Sequence, residues 1–268
     1  LPYQTLTLER DDHVATLTLN RPDRMNSFDS RMREELPVAW EEIAQDEGIW
    51  AVILTGAGDR AFCAGMDLRE PLPASAAEKG TQRRTQLTAL DCEVGKPVIT
   101  AVNGVCAGGG LAFVADSDIV IASESATFTD GRTSAGQVSI HGTLRLARKI
   151  PLEAVFRLVL LGRAERMDAQ RAFQLGMVSE VVAGPRLMER AQALARAIVG
   201  NSPSAVFYSR HAIWKSLDLG LHDALEMGWN VVTDFAHHSP DAAEGARAFV
   251  EKRPAQWTYA PPPGRRRR

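Results

Sequence analysis

The sequence predicts an α/β protein built on parallel strands. Residues 50–55, 98–102 and 119–122 are short, continuous apolar runs, the pattern of strands buried on both faces. Segments of helical period lie between them. Strands that alternate with helices run parallel, because each crossover needs about the length of a helix.

The elements follow in order. Two alternating runs, 3–8 and 14–19, flank Glu9-Arg10-Asp11-Asp12 and predict a hairpin. Arg21-Pro22-Asp23 ends the second run. Met32, Leu36, Trp40, Ile43 and Ala44 line one side of a helix predicted over 29–45, with Pro37 expected to kink it. Residues 71–79, rich in Ala, Pro and Ser, read as a surface loop leading into a helix that ends near Cys92. After about residue 142 the pattern is mainly helical, with helices expected over 152–161, 168–175, 185–199, 204–217, 221–238 and 241–251. Leu221, Leu225, Trp229, Val232 and Phe235 form one apolar stripe. A boundary is expected near Asn201-Ser202-Pro203, between an α/β core (1–200) and a helical region (201–260). Residues 261–268, Pro-rich and then all Arg, read as a solvated, mobile tail.

Composition narrows the class. The 268 residues are 45% apolar and 24% charged, as in ordinary globular proteins. Net charge is −2, but without the terminal Arg265–Arg268 run the balance is 27 basic against 33 acidic residues. A body of that sign does not suit a nucleic-acid surface. The 3 cysteines, Cys63, Cys92 and Cys106, form no C-x-x-C pair, and the start is not basic-then-apolar. Both features point to a reducing, cytoplasmic setting. The most apolar stretch, 98–115, contains Asn103-Gly104 and Gly108-Gly109-Gly110, and reads as strand, turn and helix start rather than a membrane span.

Several familiar chemistries are excluded. Gly56-Ala57-Gly58-Asp59-Arg60-Ala61 matches G-x-G-x-x-A, but the following Phe62-Cys63-Ala64-Gly65 has no helical period, so a dinucleotide fingerprint is not formed. No G-x-x-x-x-G-K-[ST] loop is present. Gly131-Arg132-Thr133-Ser134-Ala135-Gly136 is one residue too long for a nucleophile elbow. The 6 histidines show no metal-ligand spacing.

Two glycine-bearing loops carry more. One is Phe62-Cys-Ala-Gly-Met-Asp-Leu68; the other, Asn103-Gly-Val-Cys-Ala-Gly-Gly-Gly-Leu111, leaves a buried strand and enters a helix. Glycine permits close backbone approach, and free N–H groups at such a loop and a helix start can bind an oxyanion. Tight turns without a ligand would use the same residues.

With Asn20-Arg21-Pro22, Arg24-Met25-Asn26, the segment 62–70, Lys96-Pro97 through Gly110, Asp116-Ser-Asp118, Gly176-Met-Val-Ser-Glu180 and Phe249-Val-Glu-Lys-Arg253, in this order and spacing, the chain resembles the enoyl-CoA hydratase/isomerase, or crotonase, superfamily over about residues 5–257. The resemblance implies a spiral of ββα turns with C-terminal helices that build a homotrimer or a dimer of trimers. It implies a coenzyme A thioester as substrate and no permanently bound cofactor. It places one oxyanion N–H on Met66 and the other on Gly109, and the carbonyl of Ala64 near the adenine. Arg24 would lie by the CoA phosphates, Met25, Asp67 and Leu68 beside the CoA, and Phe249 and Lys252 would reach a CoA from the end of a chain. Asp67 and Asp118 are also read as holding loops by backbone hydrogen bonds.

The sequence departs from the family's hydratases at both catalytic glutamates: Ala112 and Arg132 stand in their places. Neither can act as a carboxylate acid/base. Asp130 and His141 are the nearby candidates to replace them, while Asp130 as a turn cap and His141 as a helix-start residue are the plain alternatives. Glu70 could line the pocket. Three functions remain open: an enoyl-CoA hydratase/isomerase-type enzyme using Asp130 or His141, another crotonase reaction such as decarboxylation or thioester hydrolysis, and an acyl-CoA binder without turnover.

Overall fold

The computed structural model describes residues 3–70 and 86–260. The expected loop at 71–79, most of the helix after it and the 261–268 tail lie outside these residues.

Strands β1 (Leu6–Asp11) and β2 (Val14–Leu19) form the hairpin. The turn is Asp12-His13, with Asp12 left-handed at φ 52, so β1 continues through the charged residues 9–11. An edge strand that faces solvent there tolerates them. Helix α1 (Ser30–Gln45) begins where the Asp29 carboxylate accepts the Met32 N–H, and it runs through Pro37 without ending.

From there the chain winds in turns. Strand β3 (Ala51–Gly56) is followed by β4 (Ala61–Cys63), β5 (Val98–Val102) by β6 (Val105–Ala107), and β7 (Ile119–Ser123) by β8 (Thr127–Thr129). The first member of each pair joins a 6-stranded sheet and the second a 4-stranded sheet. The crossing from β6 to β7 is made by α2 (Leu111–Asp116). Successive turns stack in parallel register, Val52 on Val98 and Ile99 on Ile119 in one sheet, Cys106 on Phe128 in the other. The spiral closes through α3 (Thr143–Leu146), α4 (Leu152–Leu161), β9 (Met167–Asp168), α5 (Ala169–Gln174), β10 (Glu180–Val182) and α6 (Leu187–Val199). Helices α7 (Pro203–Ser216), α8 (Leu221–His238) and α9 (Asp241–Glu251) follow.

The continuous apolar runs are explained by burial on both faces. In β3, Val52 and Leu54 join the main core with Met32, Leu36 and Trp40, while Ala51 and Ile53 pack toward Leu187, Ala191 and Ala195 of α6. Strands β9 and β10 are missing from the sequence reading because they are only 2 and 3 residues long and owe their state to pairing with β8 and β7. Residues 86–95 form turns rather than the end of a helix.

Two ammonium groups, the first of them buried, finish helices. Lys96 Nζ donates to the carbonyls of Ile43 and Asp46 at the end of α1, and Lys149 Nζ to those of Val114 and Ser117 after α2. Asp118 accepts from the Val98 amide, Arg210 Nε and Trp214 Nε1, which fastens α7 to the sheet. The apolar stripe of α8 faces outward: Leu221 is 78% and Trp229 71% exposed, whereas Phe235 packs on Tyr208. No helix of the described residues is long and apolar enough to cross a membrane.

Candidate active site

The first loop is held from behind by the segment 21–28. Met25 and Asn26 both adopt left-handed backbone (φ 55 and 51), which folds the chain sharply toward residues 61–67. The Asn26 amide donates to the carbonyls of Ala57 and Ala61 and accepts from the Arg21 N–H. The Met25 carbonyl accepts from the Ala64 amide at 3.0 Å, the Phe28 amide donates to Gly65 O at 2.8 Å, and Asp67 N donates to Phe28 O at 3.0 Å. Residues 28 and 66 thus pair as a short parallel bridge. The Arg21 guanidinium locks the arrangement by donating to Ser27 O and pairing with Asp29 and Asp67.

The second loop lies directly against the first. Asn103 reaches back to the carbonyls of Gly56, Gly58 and Ala61 and accepts from the Gly56 amide. Gly65, at φ 90, faces residues 107–109 so closely that a Cβ there would lie 2.9 Å from Ala107 O and 3.0 Å from the Gly109 nitrogen. Both the conformation and the contact require glycine. Among the described residues, neither the Met66 nor the Gly109 amide donates to a protein acceptor. Two unspent N–H donors therefore sit on neighbouring loops, the second leading into α2.

Ala112, fully buried in the first turn of α2, is overlaid by residue 142. Gly142 has φ 84, and a Cβ on it would be 2.7 Å from Ala112 Cα. The 130–142 segment is thus brought beside α2. In it Asp130 is fully buried and its oxygens accept from Arg132 N, Nε and Nη2 and from Ser139 Oγ. Burial alone would raise this carboxyl, but the hydrogen bonds from Arg132 and Ser139 hold it below the ordinary carboxylate range. Arg132 Nη1 also donates to the His141 carbonyl at 2.8 Å.

His141 leads to a buried ionic cluster. Its Nε2 lies 3.4 Å from Asp91 Oδ2. Arg145 on α3 bridges Asp91 and Asp116, and Thr88 Oγ1 donates to Asp116 at 2.6 Å. Burial pushes Asp91 up, but the His141 and Arg145 contacts outweigh it and leave the carboxyl at about 2. Burial raises Asp116. Asp91, Arg145 and Phe28 were not among the residues read as functional from the sequence. Asp116 carried a signal, a carboxylate directly after the apolar 111–115 run.

The other expected residues are placed as follows. Arg24 is partly exposed, with Asp23 3.6 Å from its Nε. Ala64 and Met25 are joined by the hydrogen bond above. Asp67 accepts from Arg21 and from the Arg69 amide, and Leu68 is 64% exposed. Glu70 does not stand free to line a pocket: its oxygens accept from the amide and hydroxyl of Ser30 at the start of α1. Phe249 is 86% exposed near the end of α9 and Lys252 caps that helix. Nothing among the described residues joins these two to the loops at 24–28 and 64–68. The thiols of Cys63 and Cys92 are pushed up to about 12 by burial, so neither is a nucleophile near neutral pH. No group of metal-ligating side chains occurs among the described residues. A separate cavity of about 550 Å³ between α4 and α5, lined by Arg157, Glu165 and Arg171 among others, shares no residue with these loops.

The chain is similar to known proteins over nearly its whole length. The family model for enoyl-CoA hydratase/isomerase matches residues 9–260. The (E)-benzylidenesuccinyl-CoA hydratase of Thauera aromatica is 34% identical over 92% of this chain and 96% of its own length. The short-chain-enoyl-CoA hydratase of Clostridium acetobutylicum is 33% identical over 94% of this chain and 97% of its own. The crystal structure of an enoyl-CoA hydratase/isomerase from Mycobacterium paratuberculosis superposes with a TM-score of 0.87 at 41% identity, covering 96% of this chain and 99% of that one. An enoyl-CoA hydratase from Bacillus anthracis gives 0.85 at 31% identity, covering 95% and 99%. With the stacked spiral and the paired glycine loops, these matches establish that the chain belongs to the enoyl-CoA hydratase/isomerase, or crotonase, superfamily of acyl-CoA enzymes.

Proposed function

We propose that the chain transforms a CoA thioester through its enolate, held by the main-chain amides of Met66 and Gly109, and that His141 carries the proton. The observation that carries this reading is the abutment of Gly65 on the Gly109 nitrogen, which sets two unspent donors on adjoining loops. Such donors stabilise the charge of the enolate oxygen more than the ground-state carbonyl, and one is worth about 3–4 kcal/mol. A main-chain donor is indifferent to its own side chain, so methionine at position 66 is compatible with the role.

The acid/base part follows from elimination. Ala112 has no titratable group, and Arg132 stays protonated. Asp130 has both oxygens engaged by Arg132 and Ser139, so its role in this reading is to hold Arg132. His141, with its side chain 37% exposed, is the remaining candidate, one residue from the Gly142 that overlies Ala112. Two-glutamate hydration is therefore not the chemistry proposed here. Reactions that need an enolate and one proton carrier, such as double-bond isomerisation, decarboxylation or hydrolysis, fit better. Arg24, Met25, Ala64, Asp67 and Leu68 would line the CoA, with Phe249 and Lys252 supplied by a neighbouring copy. A trimer, alone or paired, would also cover the exposed stripe of α8.

The test is α-proton exchange of butyryl-CoA in D2O, followed by NMR, beside crotonyl-CoA hydration followed by absorbance. The reading expects catalysed exchange, abolished in His141→Ala, with hydration far slower than exchange. Thioester binding with neither exchange nor any turnover of enoyl, β-keto or malonyl-type thioesters would instead favour the non-catalytic binder.

A further inference from the structure

The buried cluster behind His141 has no task in the enolate chemistry itself, yet it is costly to build. Asp91 and Asp116 have side chains 6% and 1% exposed, and Arg145 is the guanidinium between them. Buried charges persist only when paired and hydrogen-bonded. Here Arg145 is shared between the two carboxylates, and the second cationic group within reach of Asp91 is the His141 ring. His141 Nε2 is buried, has no hydrogen-bond partner, and lies 3.4 Å from Asp91 Oδ2. A lone pair on Nε2 would face a carboxylate and be repelled, so the proton belongs on that nitrogen. The two ring nitrogens of an imidazole point in divergent directions, so Nδ1 is then the one free to accept a proton.

We propose that Asp91 is a positioning residue that fixes His141 as the Nε2–H tautomer and stabilises the imidazolium formed when Nδ1 takes a proton from the thioester α-carbon. In that step the C–H bond breaks, its electron pair passes to the enolate oxygen, and the proton resides on Nδ1 until it is returned to carbon. Protonation sets a full positive charge beside the Asp91 carboxylate. The Asp91 carboxylate is itself held by Arg145 Nη2 at 3.1 Å and faced by the amides of Leu87 and Thr88 at 3.4 Å. The Leu87 carbonyl accepts from Trp40 Nε1, which anchors this turn to α1. Arg132 also approaches His141: it donates to the His141 carbonyl and is paired with Asp130.

This inference rests on the reading of His141 as proton carrier, and the experiment separates the two. The chain is labelled with 15N-histidine and its ring tautomers are read by NMR without substrate, the His141 signal being the one lost in His141→Gln. The proposal expects the neutral ring as Nε2–H in the wild-type chain and a shift toward Nδ1–H in Asp91→Asn. In butyryl-CoA exchange, Asp91→Asn is expected to lower kcat about tenfold or more with KM changed less than about threefold, and Asp91→Glu to recover part of it. A wild-type Nδ1–H tautomer, or a kcat and tautomer indifferent to Asp91→Asn, overturns the proposal. If Asp91→Asn does not fold, the wild-type tautomer and Asp91→Glu decide it. An Asp91-dependent tautomer in a chain that catalyses no exchange leaves the pairing standing and overturns the enolate reading instead.

Discussion

The ring of Phe28 occupies the space that a β-carbon on Gly109 would need: such an atom would lie 2.5 Å from Phe28 Cζ. The same residue pairs its backbone with Gly65 and Asp67. One phenylalanine thus braces both loops, its main chain against the first and its ring against the second. The prediction is that Gly109→Ala lowers kcat for thioester exchange by about 10²–10³-fold, the loss typical of one oxyanion donor. Phe28→Leu/Gly109→Ala should recover part of that loss by vacating the space. Equal activities of the single and double variants would show that the ring does not set the position of residue 109.

Asp130 and Arg132 form a buried pair whose removal on one side strands the other. Asp130→Asn is expected to cost about 3–5 kcal/mol, measured by urea unfolding at pH 7. The Asp130 carboxyl is lowered in the folded state, so its contribution is complete above the unfolded value near 3.9 and is lost as pH falls through the folded value. The gap between wild type and Asp130→Asn should therefore close below about pH 4 and stay constant between pH 5 and 7.

Much of this was legible in the residues, and the remainder was not for identifiable reasons. The buried strands were visible because burial on both faces leaves an apolar run with no alternation, as in β3 and β5. The two loops were visible because glycines recur where backbone meets backbone. The turn holding Asp91 was not: its shape depends on Trp40 and Asp116, which lie 51 and 25 residues away in sequence. The commitment of Asp130 to Arg132 and Ser139, and of Glu70 to Ser30, is likewise a matter of tertiary placement. Spacing places such carboxylates near the site without telling which are already engaged.

Restoring the hydratase pair should fail for a physical reason. Arg132→Glu would set a carboxylate against the fully buried Asp130, and Ala112→Glu would enlarge a buried side chain under Gly142. The double variant is expected to lose stability and to gain no crotonyl-CoA hydration. Adding Asp130→Ser should recover stability, as read by thermal unfolding. Vigorous hydration by the double variant alone would mean that Asp130 is not built around Arg132.

Lys96 gives a signature at alkaline pH. Its side chain is buried, and desolvation lowers the ammonium to about 8, while the unfolded chain keeps it near 10.4. Between those values the unfolded state binds more protons, so folded stability rises with pH. Measured against Lys96→Met, wild type should gain stability from pH 8 toward 10, by at most about 1.4 kcal/mol per pH unit from this group. A difference that is flat across that interval would place the Lys96 ammonium in water.

The central claim concerns one oxygen and two nitrogens, and a crystal structure of the chain with butyryl-CoA tests it most directly. The account predicts the thioester oxygen at about 2.7–3.1 Å from both the Met66 and Gly109 nitrogens, with the α-carbon on the His141 side. A thioester oxygen bound to any other donor, with these two amides left to solvent, would contradict it.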